Sequence, residues 1–270
     1  MIRFSKFDIL PTLNGILVSA DSSQKEILLF VNMEKPYEDT RVSTKAFSVM
    51  HEKFVPLMTI SPLGVADNTG SICAPCKLEC VRTSDRNFIV KITPLETAGQ
   101  RMLIEINMYE PKLMLDTTVD SKNEDENNAF GSVAFIGTSH GLGEQLLYSR
   151  VDISKIGVIQ HKTINYAKLH IPYYGNSKHQ IDAFRVGRRF CSFGSTWSSK
   201  VSEGQKIGSL TNNNGYMMLD LSKLIINPIN RQLTKNEGYI LQTTAGSNGF
   251  TVMSTGDSTY KPQVLEINYK

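Results

Sequence analysis

The chain has 270 residues, 40% hydrophobic and 20% charged, with 29 Lys+Arg against 26 Asp+Glu and a formal net charge of +3. That composition fits a globular chain able to bury a core and excludes a disordered one. The small, dispersed charge gives no footprint for nucleic acid or for an anionic membrane, and no apolar run approaches the roughly 20 residues that a spanning helix needs.

The opening residues, MIRFSKFDILPTLNG, hold no continuous apolar stretch with a small-residue cleavage site. The expectation is a protein made in the cytoplasm without a signal peptide, which reaches the outside, if at all, by lysis or another unconventional route. Apolar and β-branched runs then alternate with Gly, Asn, Ser, Asp and Pro clusters, which is the punctuation of strands and turns. In the first half the runs are Ile27–Val31, Ala46–Met50, Phe54–Ile60, Phe88–Ile92 and Met102–Met108. In the second they are Ser132–Ile136, Gln145–Val151, Tyr166–Ile171, Ile181–Val186, Tyr216–Leu221, Gly238–Gln242, Gly249–Ser254 and Gln263–Tyr269. Helical periodicity is nearly absent, with Leu219–Ile226 (LDLSKLII) the best exception at one or two turns. Many short strands without helices between them predict an all-β fold.

Between residues 110 and 131 the regularity lapses: Glu110–Pro111 ends an alternating strand, and Asp120–Asn128 (DSKNEDENN) is polar throughout. The latter reads as a solvated loop, and the former places a boundary near Pro111. Two β domains follow, 1–110 and 111–270, the second a jelly-roll-like sandwich. The strands LIEINMY at Leu103–Tyr109 and VLEINY at Val264–Tyr269 echo each other, and each is expected to close its own domain with Glu105 or Glu266 on a polar face.

From Leu113 onward a particular order of parts can be read. It runs Leu115–Val119 (LDTTV), Asn127–Gly131 (NNAFG), Val133–Gly137 (VAFIG), Leu146–Ile153 (LLYSRVDI) and Ala167–Ile171 (AKLHI). Thr196–Trp197, Leu219–Ser222 (LDLS), Asn236–Leu241 (NEGYIL), Ser254–Asp257 (STGD) and Pro262–Tyr269 complete it. Over about 155 residues this resembles the DNRLRE-type domain, a β-sandwich of the TGF-β-propeptide-like and carbohydrate-binding-module kind. Leu147–Asp152 (LYSRVD) stands where that family carries its basic-rich Arg–Phe–Asp run, and the family is usually secreted. Coupled to another β domain, such a module implies a phage or phage-derived virion or tail component, with other virion proteins, further copies of itself and a surface glycan as partners.

Five features carry possible chemistry. Gly137–Gly141 (GTSHG) satisfies G-x-S-x-G, with Asp152, Asp182, His161, His170 and His179 downstream. A hydrolase built on Ser139 would need a helix after the serine, whereas GLGEQLLYSRVDI reads as a turn and another strand. Cys73, Cys76 and Cys80 offer soft ligands at C-x2-C-x3-C spacing, with Cys191 or His51 as a remote fourth; alternately, Cys76, Leu78 and Cys80 pack inward along a strand. The cysteine spacing does not suggest a disulfide framework. The acidic loop Asp120–Glu126 lacks EF-hand spacing, with Lys122 where a ligand oxygen would stand. Trp197, the single tryptophan, either stacks on a sugar or plugs the sandwich, and Arg188, Arg189 and Phe193 are its neighbours in sequence. Tyr173 and Tyr174 form a loop pair with the same two readings. The expectation is thus a non-catalytic attachment protein without a cofactor, with Trp197, Tyr173, Tyr174 and Arg188 as candidate ligand contacts. A carbohydrate-binding surface protein and a Ser139 hydrolase are the alternatives.

Overall fold

The computed structural model describes residues 7–21, 23, 25–33, 40–51, 55–96, 99–108, 113–139, 141–159, 161–175, 179–244 and 249–270. The fold is all-β: among the described residues there are 21 strands, two single-turn 3-10 segments and one four-residue α-helix. Contacts divide the chain into two compact units, Met1–Glu110 with Asn128–Ser132, and Pro111–Asn127 with Val133–Lys270. Pro111 itself, the expected junction, lies outside the described residues, as do Phe54 and Tyr109.

The first unit is built from β1 (Phe7–Pro11), β2 (Gly15–Asp21), β3 (Ile27–Asn32), β4 (Thr40–Val42), β5 (Phe47–His51), β6 (Val55–Ala66), β7 (Ile72–Ala74), β8 (Cys76–Arg82), β9 (Asn87–Pro94) and β10 (Arg101–Met108). One sheet runs β1-β2-β10-β6-β5-β4 with β7 on β6, and a three-stranded sheet runs β3-β9-β8. Their facing sides bury one core: Val18, Met102, Ile104, Ile60, Phe47 and Val49 from the larger sheet, and Ile27, Phe88, Val90, Ile92, Cys76 and Leu78 from the smaller. The strict alternation in β9, with Phe88, Val90 and Ile92 buried and their neighbours half-exposed, is the period-2 signature of a strand with one wet face. β10 is the last strand of the unit in chain order, and it lies inside the sheet, hydrogen-bonded to β2 and β6. One expectation needs correction, that of Glu105 on a polar, solvent-facing side. Glu105 is fully buried there, because the face opposite the apolar core is itself covered and packed with Ser19, Ser61, Thr59 and Asn107.

The second unit is built from β11 (Met114–Asp120), β12 (Val133–Ser139), β13 (Gly143–Val151), β14 (Ile164–Pro172), β15 (Ile181–Val186), β16 (Glu203–Ser209), β17 (Thr211–Asn213), β18 (Tyr216–Asp220), α1 (Ser222–Ile225), β19 (Tyr239–Thr243), β20 (Phe250–Ser254) and β21 (Val264–Tyr269). One sheet runs β16-β15-β19-β13-β12-β20 with β11 on β13; the other runs β17-β18-β14-β21. Every strand pairing among the described residues is antiparallel. The two sheets of this unit form a sandwich over Met114, Ala134, Ile136, Leu147, Ala167, Leu169, Ile171, Ile181, Leu219 and Leu241. β13 is buried on both faces: Leu147 and Val151 point into this core, while Leu146 and Tyr148 point the other way into a second cluster with Val119, Val186, Phe190, Val201 and Ile240. That outward cluster is roofed by the strandless segment 187–202, and the Tyr148 hydroxyl donates to Val201 O at 2.7 Å.

The stretch Asp120–Asn128 is only partly the solvated loop its composition implies. Asp120, Asn127 and Asn128 are buried, whereas Lys122, Glu124 and Asp125 are exposed. Polar groups can be buried when their hydrogen bonds are met. Asp120 Oδ1 accepts from the Asn123 amide N–H at 3.0 Å and from Asn123 Nδ2 at 2.6 Å. Asn127 Nδ2 donates to Ser195 O at 2.7 Å and Ser192 O at 2.9 Å, with Thr117 Oγ1 at 3.2 Å. Asn127 therefore ties the roof segment to β11. Asn127→Ala should cost about 2 kcal/mol, the loss of two to three buried hydrogen bonds. It should also red-shift the emission of Trp197, the single tryptophan, as the roof loosens. Unchanged emission and melting would remove Asn127 from this role.

Candidate functional site

The most organised polar surface lies on the outer face of the β17-β18-β14-β21 sheet. β14 alternates: Ala167, Leu169 and Ile171 are buried in the core, which sends Tyr166, Lys168 and His170 to the opposite side. Register then places their partners. Lys168 pairs with Asp220 on β18 and Glu266 on β21, His170 with Met218 and Val264, and Tyr166 with Asn268. Glu266 gathers the group. Its Oε1 accepts from the Tyr166 hydroxyl at 2.6 Å, and its Oε2 lies 2.8 Å from His170 Nε2. The Lys168 ammonium sits over the Tyr166 ring at 4.8 Å, and Tyr216 stands edge-on to His170 at 6.3 Å. Asn165 Nδ2 donates to Asn268 Oδ1 at 2.5 Å and extends the row.

The hydrogen bond from Tyr166, followed by that from His170, holds the Glu266 carboxyl below the usual glutamate range, and the same bond raises the Tyr166 hydroxyl. A depressed carboxyl stabilises the fold fully above the ordinary glutamate range, and that contribution fades as the pH falls through the lowered value. Glu266 is therefore ionised at neutral pH, with the neutral Tyr166 hydroxyl donating to it. Glu266, expected on a polar face, stands on one; nothing local joins it to Tyr166 and His170, about 100 residues away, because only the β14–β21 register does so.

The residues singled out from sequence fall in different places. Trp197 is half-buried against the Val119–Tyr148–Phe190 cluster, with the Lys200 ammonium 3.4 Å from its ring centroid. Arg188 is exposed in the same roof segment. Tyr173 is half-buried, bridges to Met253, and its hydroxyl accepts from Asn212 Nδ2 at 2.8 Å. Tyr174 is buried, stacked on Tyr260 at 6.4 Å, with the Lys261 ammonium 4.4 Å from its ring centroid. The tyrosine pair and the tryptophan thus have separate neighbours and do not converge on one surface.

Ser139 ends β12, and the chain turns at once into β13 through the pairs Thr138–Glu144 and Ser139–Gly143. A hairpin, not a helix, follows the serine. Ser139 Oγ accepts from the Leu142 amide at 3.1 Å. The downstream groups are engaged elsewhere: Asp152 accepts from Ser154, Asp182 from Gln180 and Ser209, and His170 meets Glu266. His161 is exposed on a turn, His179 packs against Gly249, and His140 lies outside the described residues. Cys76 and Leu78 point into the first unit's core with Cys80 at its margin, and burial pushes the Cys76 thiol up to about 12. Cys73 Sγ donates instead to Ser71 O. Among the described residues no three His, Cys, Asp or Glu side chains converge as a metal site, and the His51 side chain is not described.

Comparison of the sequence with models of known protein families and with curated proteins finds no match in either.

Proposed function

We propose that the chain is a non-catalytic attachment component of a phage or phage-derived particle, whose carboxy-terminal sandwich meets a cell-surface glycan. The observation that carries this is the Tyr166–Glu266–His170 array. It is a set of outward polar and aromatic groups fixed on neighbouring strands, and such rigid elements position a binding site more precisely than loops do. The order of motifs from Leu115 to Tyr269 supports the same reading.

The amino-terminal unit supplies the assembly surface. Across its three-stranded sheet, Phe30, Ile89 and Val81 align in one row, and Phe30 and Val81 are 58% and 60% exposed. The next row pairs Leu28, Lys91 and Glu79, with Lys91 also bound to Glu26 at 2.9 Å. An apolar stripe flanked by charges of both signs is self-complementary, so its partner is a second copy of this chain.

Sedimentation should show a concentration-dependent oligomer that Phe30→Asp shifts toward monomer. The intact protein should be retained on purified Gram-positive cell wall, with retention falling in Glu266→Ala. A stable monomer would remove the assembly half, and retention indifferent to Glu266→Ala would remove the attachment half. Labelling of Ser139 by a fluorophosphonate would favour the hydrolase instead.

A further inference from the structure

We propose that the outer face of the β17-β18-β14-β21 sheet selects neutral glycans, holding two adjacent sugar hydroxyls between Glu266 and Lys168; this rests on the glycan reading above. The argument begins with valence. Each carboxylate oxygen offers about two acceptor sites. Tyr166 takes one on Oε1 and His170 one on Oε2, so each oxygen keeps one acceptor, and the side chain is 43% exposed. The two donors also fix the carboxylate's plane, since they come from positions four apart on one strand. Lys168, the cross-strand partner of Glu266, brings an ammonium with three donors to the same row.

A fixed acceptor pair beside a donor is complementary to a group that both gives and takes hydrogen bonds. A hydroxyl does this, and two on adjacent ring carbons reach both oxygens of one carboxylate. Charge disfavours the anionic competitors. Lys168 stands between Asp220 and Glu266 in register, so the row carries one cation and two carboxylates. An acidic sugar would set its own carboxylate or sulfate against that excess, a like-charge juxtaposition. Tyr216, 39% exposed at the margin, presents an aromatic surface to the C–H face of a sugar ring.

The test uses the full-length protein on an array of neutral oligosaccharides (gluco-, galacto-, manno- and N-acetylglucosamine series) beside uronate, sialylated and sulfated ones, followed by calorimetric titration of the best binder. Neutral oligosaccharides should bind. Glu266→Gln, which keeps the shape but replaces one acceptor by a donor, should weaken them roughly ten- to hundredfold, with the melting transition retained. Tyr216→Ala should weaken them less, and Ile229→Ser, at a 91% exposed position elsewhere on the unit, should leave binding unchanged. Preference for acidic glycans, absence of any neutral binder, or neutral binding unaffected by Glu266→Gln would each overturn the assignment. Should cell-wall retention depend on Glu266 while acidic glycans are the ones selected, attachment stands and the neutral-hydroxyl assignment alone falls. Should retention also ignore Glu266, both fall.

Discussion

Gly137→Ala should lower the melting transition of the carboxy-terminal unit by roughly 8–15 °C, a loss of about 4 kcal/mol. Two effects combine. Gly137 has φ of +119°, a backbone region that side chains disfavour. A Cβ there would also stand 2.3 Å from Gly249 O and 3.1 Å from Phe250 Cα. Neither strand can move aside cheaply, because Gly137 pairs with Phe250 on β20 and Gln145 on β13, and the Thr138 amide donates to Gly249 O at 2.8 Å. Ser139→Ala is the matched control: it removes one hydrogen bond and should cost only about 1 kcal/mol. Circular dichroism melts of the two variants decide the point. The glycine of the G-x-S-x-G pattern is then read as a requirement of the β12–β20 approach, and equal melting of the two variants would sink that account.

Leu169→Ala and His170→Ala should differ sharply although the residues are adjacent. Leu169 is fully buried in the sandwich core, so truncating it leaves a cavity and should cost about 3–4 kcal/mol. His170, on the opposite face of β14 with its side chain 20% exposed, loses a hydrogen bond to Glu266 without opening the core, so stability should fall by no more than about 1 kcal/mol. Its cost should appear in glycan retention instead, through a carboxylate no longer held on both sides. Denaturant unfolding of both variants, followed by cell-wall retention, separates the two. If His170→Ala destabilised as much as Leu169→Ala, the outer face would be part of the fold's support and not a free surface.

Which strands were legible in the sequence follows from burial. β9, β13, β14 and β15 carry apolar or β-branched residues because at least one face is covered, and their runs were readable. β16 (EGQKIGS) was not: it is an edge strand with an exposed or half-exposed side chain at every position, so pairing with β15 alone makes it a strand. β1, another edge, leaves Ile9 and Leu10 exposed and shows no alternation. Of the helical exception Leu219–Ile226, only Ser222–Ile225 is helical, as α1 with Leu224 and Ile225 buried; Leu219 and Asp220 belong to β18. Several pieces of the motif order after Leu113 have architectural uses. Asp116 accepts from the Gly256 amide inside Ser254–Asp257, and Gly256 has no room for a side chain, since a Cβ would stand 2.5 Å from Met114 Cβ.

The all-β character is legible from the residues alone, because period-2 apolar patterning and turn residues are local properties of the chain. The sequence also marked Glu266 as lying on a polar face, since alternation along one strand assigns sides. Which polar residues meet is a matter of long-range pairing. Glu105, on a strand with nearly the same sequence as that of Glu266, is fully buried, while Glu266 faces solvent in contact with Tyr166 and His170. Strand order and register set that difference, and both depend on pairings between residues far apart in the chain.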